Sequence, residues 1–200
     1  MTSQANRQRP AQKEMLIALG GNVPAAQGRP EELLPLALVE ISRRIGPVVA
    51  QSRIYRTPAY PAGSGPDYAN AACRIVTALP VAEVLDRLHG IEAEFGRIRA
   101  ARWGARSLDL DLLAAGDLVL PDVATQTAWM DLPPEQQRVR APDTLILPHP
   151  RLHERAFVLV PLADVAPDWV HPRSGTTVAA MRDALPADDL ASVIAITQGL

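Results

Sequence analysis

Two aspartates spaced by two, Asp109 and Asp111, stand among leucines in the run Ser107 to Leu113, SLDLDLL. Extended backbone alternates its side chains, so both carboxylates share one face while Leu108, Leu110 and Leu112 share the other. Neighbouring carboxylates repel, and a divalent cation between them relieves the repulsion. Hard oxygen ligands suit Mg²⁺, which takes one or two carboxylates and completes its shell with water and substrate phosphate. The segment just before, Gly96 to Arg106, carries Arg97, Arg99, Arg102, Trp103 and Arg106. Guanidinium forks match phosphate oxygens in a bidentate way and stay charged at any relevant pH. Strand carboxylates beside loop arginines point to phosphoryl or nucleotidyl transfer, in which positioning and charge neutralisation make up most of the catalysis. An Asp-x-Asp strand alone is more often a solvated outer face; the arginine cluster is what argues for a metal site.

The rest of the chain must hold these groups in place. Its 200 residues, 48% hydrophobic, suffice for one buried core, and a single domain is expected. The formal net charge of −2 provides no global field to attract nucleic acid. Lys13 is the only lysine, so arginine abundance is a general feature and only the clustering between Arg97 and Arg106 informs. The lone Cys73 cannot form an intrachain disulfide, and the polar stretch Met1 to Gln12 has no apolar core of a signal peptide. No run approaches the ~18 apolar residues of a membrane span. The expectation is a soluble, cytoplasmic protein with a disordered tail over 1–13, followed by one domain over 14–200.

Within that domain Met15 to Leu19 reads as a buried strand ending in the turn Gly20-Gly21-Asn22. Pro30 to Ile45 reads as a helix, with Glu31 and Glu32 in its first turn, Arg43 and Arg44 in its last, and Gly46 as its stop. Val48 to Tyr55 is a predicted strand that gives way to a proline- and glycine-rich loop around Thr57, Pro58 and Pro66. Tyr68 and Asn70 open the next strand; two apart, they point the same way and pair a stacking ring with an amide that both donates and accepts. Pro80 to Phe95 carries the clearest helical period. Ala115-Gly116-Asp117 is predicted to turn the aspartate strand back into a hairpin with Leu118 to Leu120. Pro121 to Asp143 shows no sustained period and reads as a long excursion rather than a second domain. A helical pattern then runs through Arg155, Phe157 and Leu159, with His149, Arg151 and Arg155 adding basic groups for the same anion. The end of the chain, with a helix over Thr176 to Leu185, reads as packing.

Taken in order, ALGGN, YRTPAY, PDYANAA, the block from Gly96 through RWGARSLDLDLL, and LPHPRLHERAFVLVPLADVAP resemble the signature blocks of the 6-hydroxymethyl-7,8-dihydropterin pyrophosphokinase family of folate biosynthesis, over about residues 15 to 172. The resemblance implies an α+β fold, a ferredoxin-like α-β sandwich with a mostly antiparallel sheet and helices packed against it. It implies an ATP- and Mg-dependent diphosphotransferase that transfers pyrophosphate to a reduced pterin and releases AMP. Asp109 and Asp111 would hold two Mg²⁺ ions. Arg97, Arg99 and Arg106 would be catalytic, and Glu92, Trp103, His149 and Arg155 would bind ATP. Thr57, Pro58, Tyr68, Asn70 and Phe157 would form the pterin pocket, with Tyr68 and Phe157 sandwiching the heterocycle. Arg99 and Trp103 would lie on a mobile loop that closes over the site and excludes water. Its partners would be ATP and 6-hydroxymethyl-7,8-dihydropterin, with neither nucleic acid nor membrane, and the enzyme a monomer. Three departures stand out: Gly21 where serine is common, a loop one residue short before Arg102, and the excursion over 121–143.

Overall fold

A computed structural model describes residues 11–59, 65–96 and 106–196. Apolar runs become strands and periodic stretches become helices, in the order β1 (Lys13–Gly21), α1 (Pro30–Arg44), β2 (Val48–Gln51), β3 (Tyr55–Thr57), β4 (Tyr68–Thr77), α2 (Val81–Glu94) and β5 (Asp109–Ala115). Then come α3 (Val123–Met130), α4 (Pro134–Val139), α5 (Ala156–Val165), α6 (Val178–Asp183), α7 (Ala187–Ala191) and β6 (Ile194–Ala195). Every strand pair is antiparallel, and the sheet runs β5-β1-β4-β3-β6 with β2 also on β4. Each of α1 and α2 connects strands that have a third strand lying between them, the split β-α-β arrangement of a ferredoxin-like sandwich.

The two faces of the sheet bury different sets. Met15, Ile17, Leu19, Ala71, Cys73 and Ile75 join Leu108, Leu110 and Leu112 against Leu33, Leu34, Ile41, Val84, Leu88 and Ile91 of α1 and α2. Leu16, Ala72, Leu113 and Ala114 pack on the opposite face against α5 and α6 through Val158, Leu159, Leu162, Val178 and Met181. Burying each leucine of β5 contributes ~1.5–3 kcal/mol, so a one-residue slip that exchanged Leu110 for Asp111 would be strongly disfavoured. The aspartates are thereby held on the α5 face.

Five segments differ from the sequence reading. The strand expected over Val48 to Tyr55 is two short strands, broken where Ser52 exchanges hydrogen bonds with Ala72 and Arg53 turns to Asp164. The hairpin after β5 does not form. The outer edge of β5 instead accepts the amide of His149 at Leu113 O, 2.8 Å, while Leu120 bridges Leu147. The excursion contains α3 and α4; α3 buries only the polar Gln126, so no apolar period announced it, although Asp122 caps it by accepting from the Thr125 amide. Arg155 lies outside a helix, in extended backbone between a short 3₁₀ turn, Leu152–Glu154, and α5. The predicted helix Thr176 to Leu185 is the shorter α6, with Thr177 as its cap.

Candidate active site

Register builds the site. Asp109 lies opposite Gly20 on β1, Gly20 lies opposite Asn70 on β4, and Asn70 lies opposite Tyr55 on β3. Asp111 is in the neighbouring row, opposite Ala18 and then Ala72. Alternation puts Asp109, Asp111, Tyr68 and Asn70 on the α5 face, because Leu110, Leu112, Ala69 and Ala71 occupy the other. Two strand spacings, roughly 10 Å, separate the acidic edge from the Asn70 strand. Gly20 keeps the floor between them low: a Cβ there would come within 3.1 Å of Asn70 Oδ1.

On the acidic side, Arg106 donates to Asp109 Oδ2 at 2.5 Å. Asn22 fixes the backbone of that arginine by accepting its amide at 2.9 Å and returning its own amide to Arg106 O at 2.9 Å. The same asparagine, 5% exposed, also donates to Pro66 O. Gly21 permits this closeness, since a Cβ there would be 2.3 Å from Ser107 O. Asp111 is exposed. Glu92 reaches β5 from α2, is 1% exposed, and accepts the Leu110 amide at 2.8 Å, so the contact it makes here holds the strand that bears the aspartates.

The basic groups arrive from the segment after the excursion. His149 follows Leu147 and Pro148 and is tied to β5 through Leu113. Its Nδ1 accepts the Arg151 amide at 3.1 Å, which leaves the ring proton on Nε2. Burial, reinforced by the guanidinium charges of Arg155 and Arg151, pushes its pKa down to about 3. The ring is therefore a neutral N–H donor near pH 7. Burial and the neighbouring Arg151 lower Arg155 to about 10, against the opposing pull of Asp111, Glu154 and Asp109, so it remains cationic. Its guanidinium lies over the Phe157 ring, 5.6 Å from the centroid.

On the other side, Asn70 Nδ2 donates to Thr57 Oγ1 at 2.8 Å, and both residues are buried. That bond orients the amide. Tyr68 is half-buried and pairs with Thr57, Pro58 is exposed, and Phe157 in the first turn of α5 is 40% exposed. The Tyr55 hydroxyl, at the end of the Gly20 row, donates to Asp164 Oδ2 at 2.8 Å, and Arg53 binds the same carboxylate. This ties α5, and with it Phe157, to β3. Burial opposes ionisation of Asp164, but hydrogen bonds from Arg53 and Tyr55 outweigh it and leave its pKa below the usual value.

Of the residues singled out from sequence, Asp109, Asp111, Arg106, Tyr68, Asn70, Thr57, His149, Arg155 and Phe157 thus belong to this face and its rim, while Glu92 supports it from α2. Arg97, Arg99, Arg102 and Trp103 lie outside the described residues. Sequence reasoning missed Asn22, whose only signal was its place in the glycine turn, and the Tyr55–Asp164 link, which spans 109 positions.

Two carboxylates on a small-residue floor suit a cation that draws its remaining ligands from water and substrate oxygen. Among the described residues no group of three or more His, Cys, Asp or Glu could by itself hold a metal ion. The fold is an α+β sandwich in which the acidic edge strand β5 and the amide-bearing inner strand β4 flank one shared floor on β1. The family model for 7,8-dihydro-6-hydroxymethylpterin-pyrophosphokinase (HPPK) matches residues 16–167, and the chain belongs to that family. It is 40% identical over 167 residues to the 2-amino-4-hydroxy-6-hydroxymethyldihydropteridine pyrophosphokinase of Synechocystis, covering 82% of this chain and 71% of that one. Identity to the protein of the same description from Haemophilus influenzae is 36% over 159 residues, covering 79% and 84%. Among solved structures, wild-type HPPK-DHPS of Plasmodium falciparum shares the fold, with a TM-score of 0.63 at 14% identity. That match covers 88% of this chain and spans 45% of the Plasmodium chain.

Proposed function

We propose that the chain is a pyrophosphokinase of folate biosynthesis that transfers pyrophosphate from ATP to the hydroxymethyl group of 6-hydroxymethyl-7,8-dihydropterin. In this reading the pterin hydroxyl oxygen bonds to the β-phosphorus of ATP as the bond from that phosphorus to the α-β bridging oxygen breaks. The hydroxyl proton is released, and AMP leaves with the bridging oxygen. The observation that carries the reading is the Asp109-Gly20-Asn70 row, which sets a phosphate-side carboxylate and a heterocycle-reading amide across one glycine floor.

Asp109 and Asp111 would hold Mg²⁺, two ions being expected, and the metal when bound would neutralise charge on the transferred phosphates. Arg106 would orient Asp109 and face the same anion. His149 would donate from Nε2 without adding charge, and Arg155 would supply charge from above Phe157. Asn70, Thr57, Pro58, Tyr68 and Phe157 would bind the pterin, the two rings flanking it. Arg97 and Arg99 would be catalytic and Trp103 would bind ATP; with no protein nucleophile required, closure of their loop would exclude water as a competing acceptor. Glu92 would contribute to the ATP site, and its bond to the Leu110 amide holds β5. A cytoplasmic monomer completes the reading. Among the described residues no helix is long and apolar enough to cross a membrane.

Incubation with ATP, Mg²⁺ and the pterin should yield AMP, whereas ADP, free pyrophosphate or no product would refute the assignment. Asp109→Ala and Asp111→Ala should each lower turnover by at least ~10²–10³, the usual loss on removing transition-state charge stabilisation. Circular dichroism should stay native, and activity within tenfold of wild type at saturating Mg²⁺ would refute the metal role.

A further inference from the structure

The excursion leaves and rejoins the fold through one neck. Leu120 donates to Leu147 O at 2.8 Å, and Leu147 donates back to Leu120 O at 3.2 Å. The next two residues are Pro148 and His149. Gln126 of α3, 0% exposed, donates from Nε2 to the Pro148 carbonyl at 3.2 Å. On the other side of that peptide unit the His149 amide donates to Leu113 O, two residues past Asp111. The backbone at His149 is thus held from one side by the aspartate strand and from the other by the excursion. Thr127, next to Gln126, accepts from Arg173 at 2.7 and 3.1 Å and so moors α3 to the chain beyond α5.

Gln126 is a poor choice for packing alone. It is the one buried side chain of α3, and a leucine of similar volume would fill the position without burying an amide. What glutamine adds is the bond to Pro148. His149 acts as a neutral donor, so its worth to an anion depends on where the ring sits rather than on net charge.

We propose that Gln126 is a positioning residue acting through His149, and that α3 is a brace for the phosphate side of the site. This rests on the function proposed above. The excursion is then a working part of the ATP site rather than a tolerated insertion. Loss of the brace lets the imidazole drift, and displacement by ~1 Å can cost up to ~10²-fold in effect.

The test is a double-mutant cycle in the full chain, read by calorimetric titration with a non-hydrolysable ATP analogue and Mg²⁺. Gln126→Leu should weaken the analogue on the order of tenfold while pterin binding stays within twofold. In a His149→Ala background the same substitution should add little, because its effect passes through the ring. Thr127→Val, which loosens the mooring but keeps the Pro148 bond, should change analogue affinity less than Gln126→Leu. Gln126→Met repeats the measurement should the leucine variant fold poorly. Unchanged analogue affinity in both Gln126 variants, or equal losses with and without His149, would overturn the brace. Wild-type protein that forms AMP while the cycle is additive would refute the brace alone, whereas no AMP from wild type would refute the function itself.

Discussion

In the proposed reading Asn70 and Phe157 would approach one substrate from different elements, and their surroundings differ. Asn70 is buried with its amide aimed by Thr57, so replacing it removes a fixed hydrogen-bonding group; Phe157 is 40% exposed and offers a ring face. Asn70→Ala and Phe157→Ala should each weaken pterin binding by ~1–3 kcal/mol and leave the affinity for a Mg-ATP analogue within twofold. Calorimetry showing equal loss for both ligands would assign these residues to packing. At this scale spacing gave the face that the paired aspartates share and the face that Tyr68 and Asn70 share, while the roles of these residues came from the neighbouring arginines and the family resemblance. Asn22 was not legible, because one asparagine after two glycines reads as a turn until the arginine backbone it accepts is known to lie beside it.

The contact between the end of β1 and the segment Arg106–Ser107 is a close element-level constraint on the site. Gly21 has no room for a side chain, since the Ser107 carbonyl lies 2.3 Å from where its Cβ would stand, and backbone cannot yield as a flexible side chain can. Any side chain at this position therefore requires the two segments to move apart. Gly21→Ser should lower stability by ~1–3 kcal/mol through overpacking and should reduce activity further by displacing Arg106 from Asp109. Urea unfolding with an unchanged midpoint would show that the two segments separate freely. The element boundaries that sequence missed have a similar origin. Leu118 to Leu120 has strand character but no free partner, because His149 takes the edge of β5, and α3 has a cap without an apolar face.

Across the whole molecule, acid sensitivity should follow from two neutral imidazoles, one buried and one half-buried. His171 is 0% exposed, its Nδ1 accepts from the Arg173 and Ser174 amides, and burial, with His153 and Arg173 adding to it, lowers its pKa to about 4. Between that value and the ordinary ~6.5 the unfolded chain binds a proton that the folded chain refuses. Stability is therefore full above ~6.5 and falls as pH drops toward 4. His149 acts in the same sense down to about 3. Replacing His171 with Asn, which can still accept the two amides, should flatten the thermal midpoint profile between pH 6.5 and 4. An acid limb as steep as that of wild type would show that this imidazole does not set it.

What the sequence determined alone was local: the face that Asp109 and Asp111 share, the helices α1 and α2, and an ordered set of blocks that resembles one enzyme family. Those features depend on period and residue type, which are written along the chain. Tertiary structure decided which distant backbones meet. Gly20 became the floor between Asp109 and Asn70 only through strand register, and Asp164 became the tether of α5 only through Tyr55. Gln126 became a neighbour of Pro148 because the Leu120–Leu147 neck folds the excursion back on the site. Such pairings depend on complementary edges and buried polar groups finding partners far along the chain, and no local pattern of residues encodes that distance.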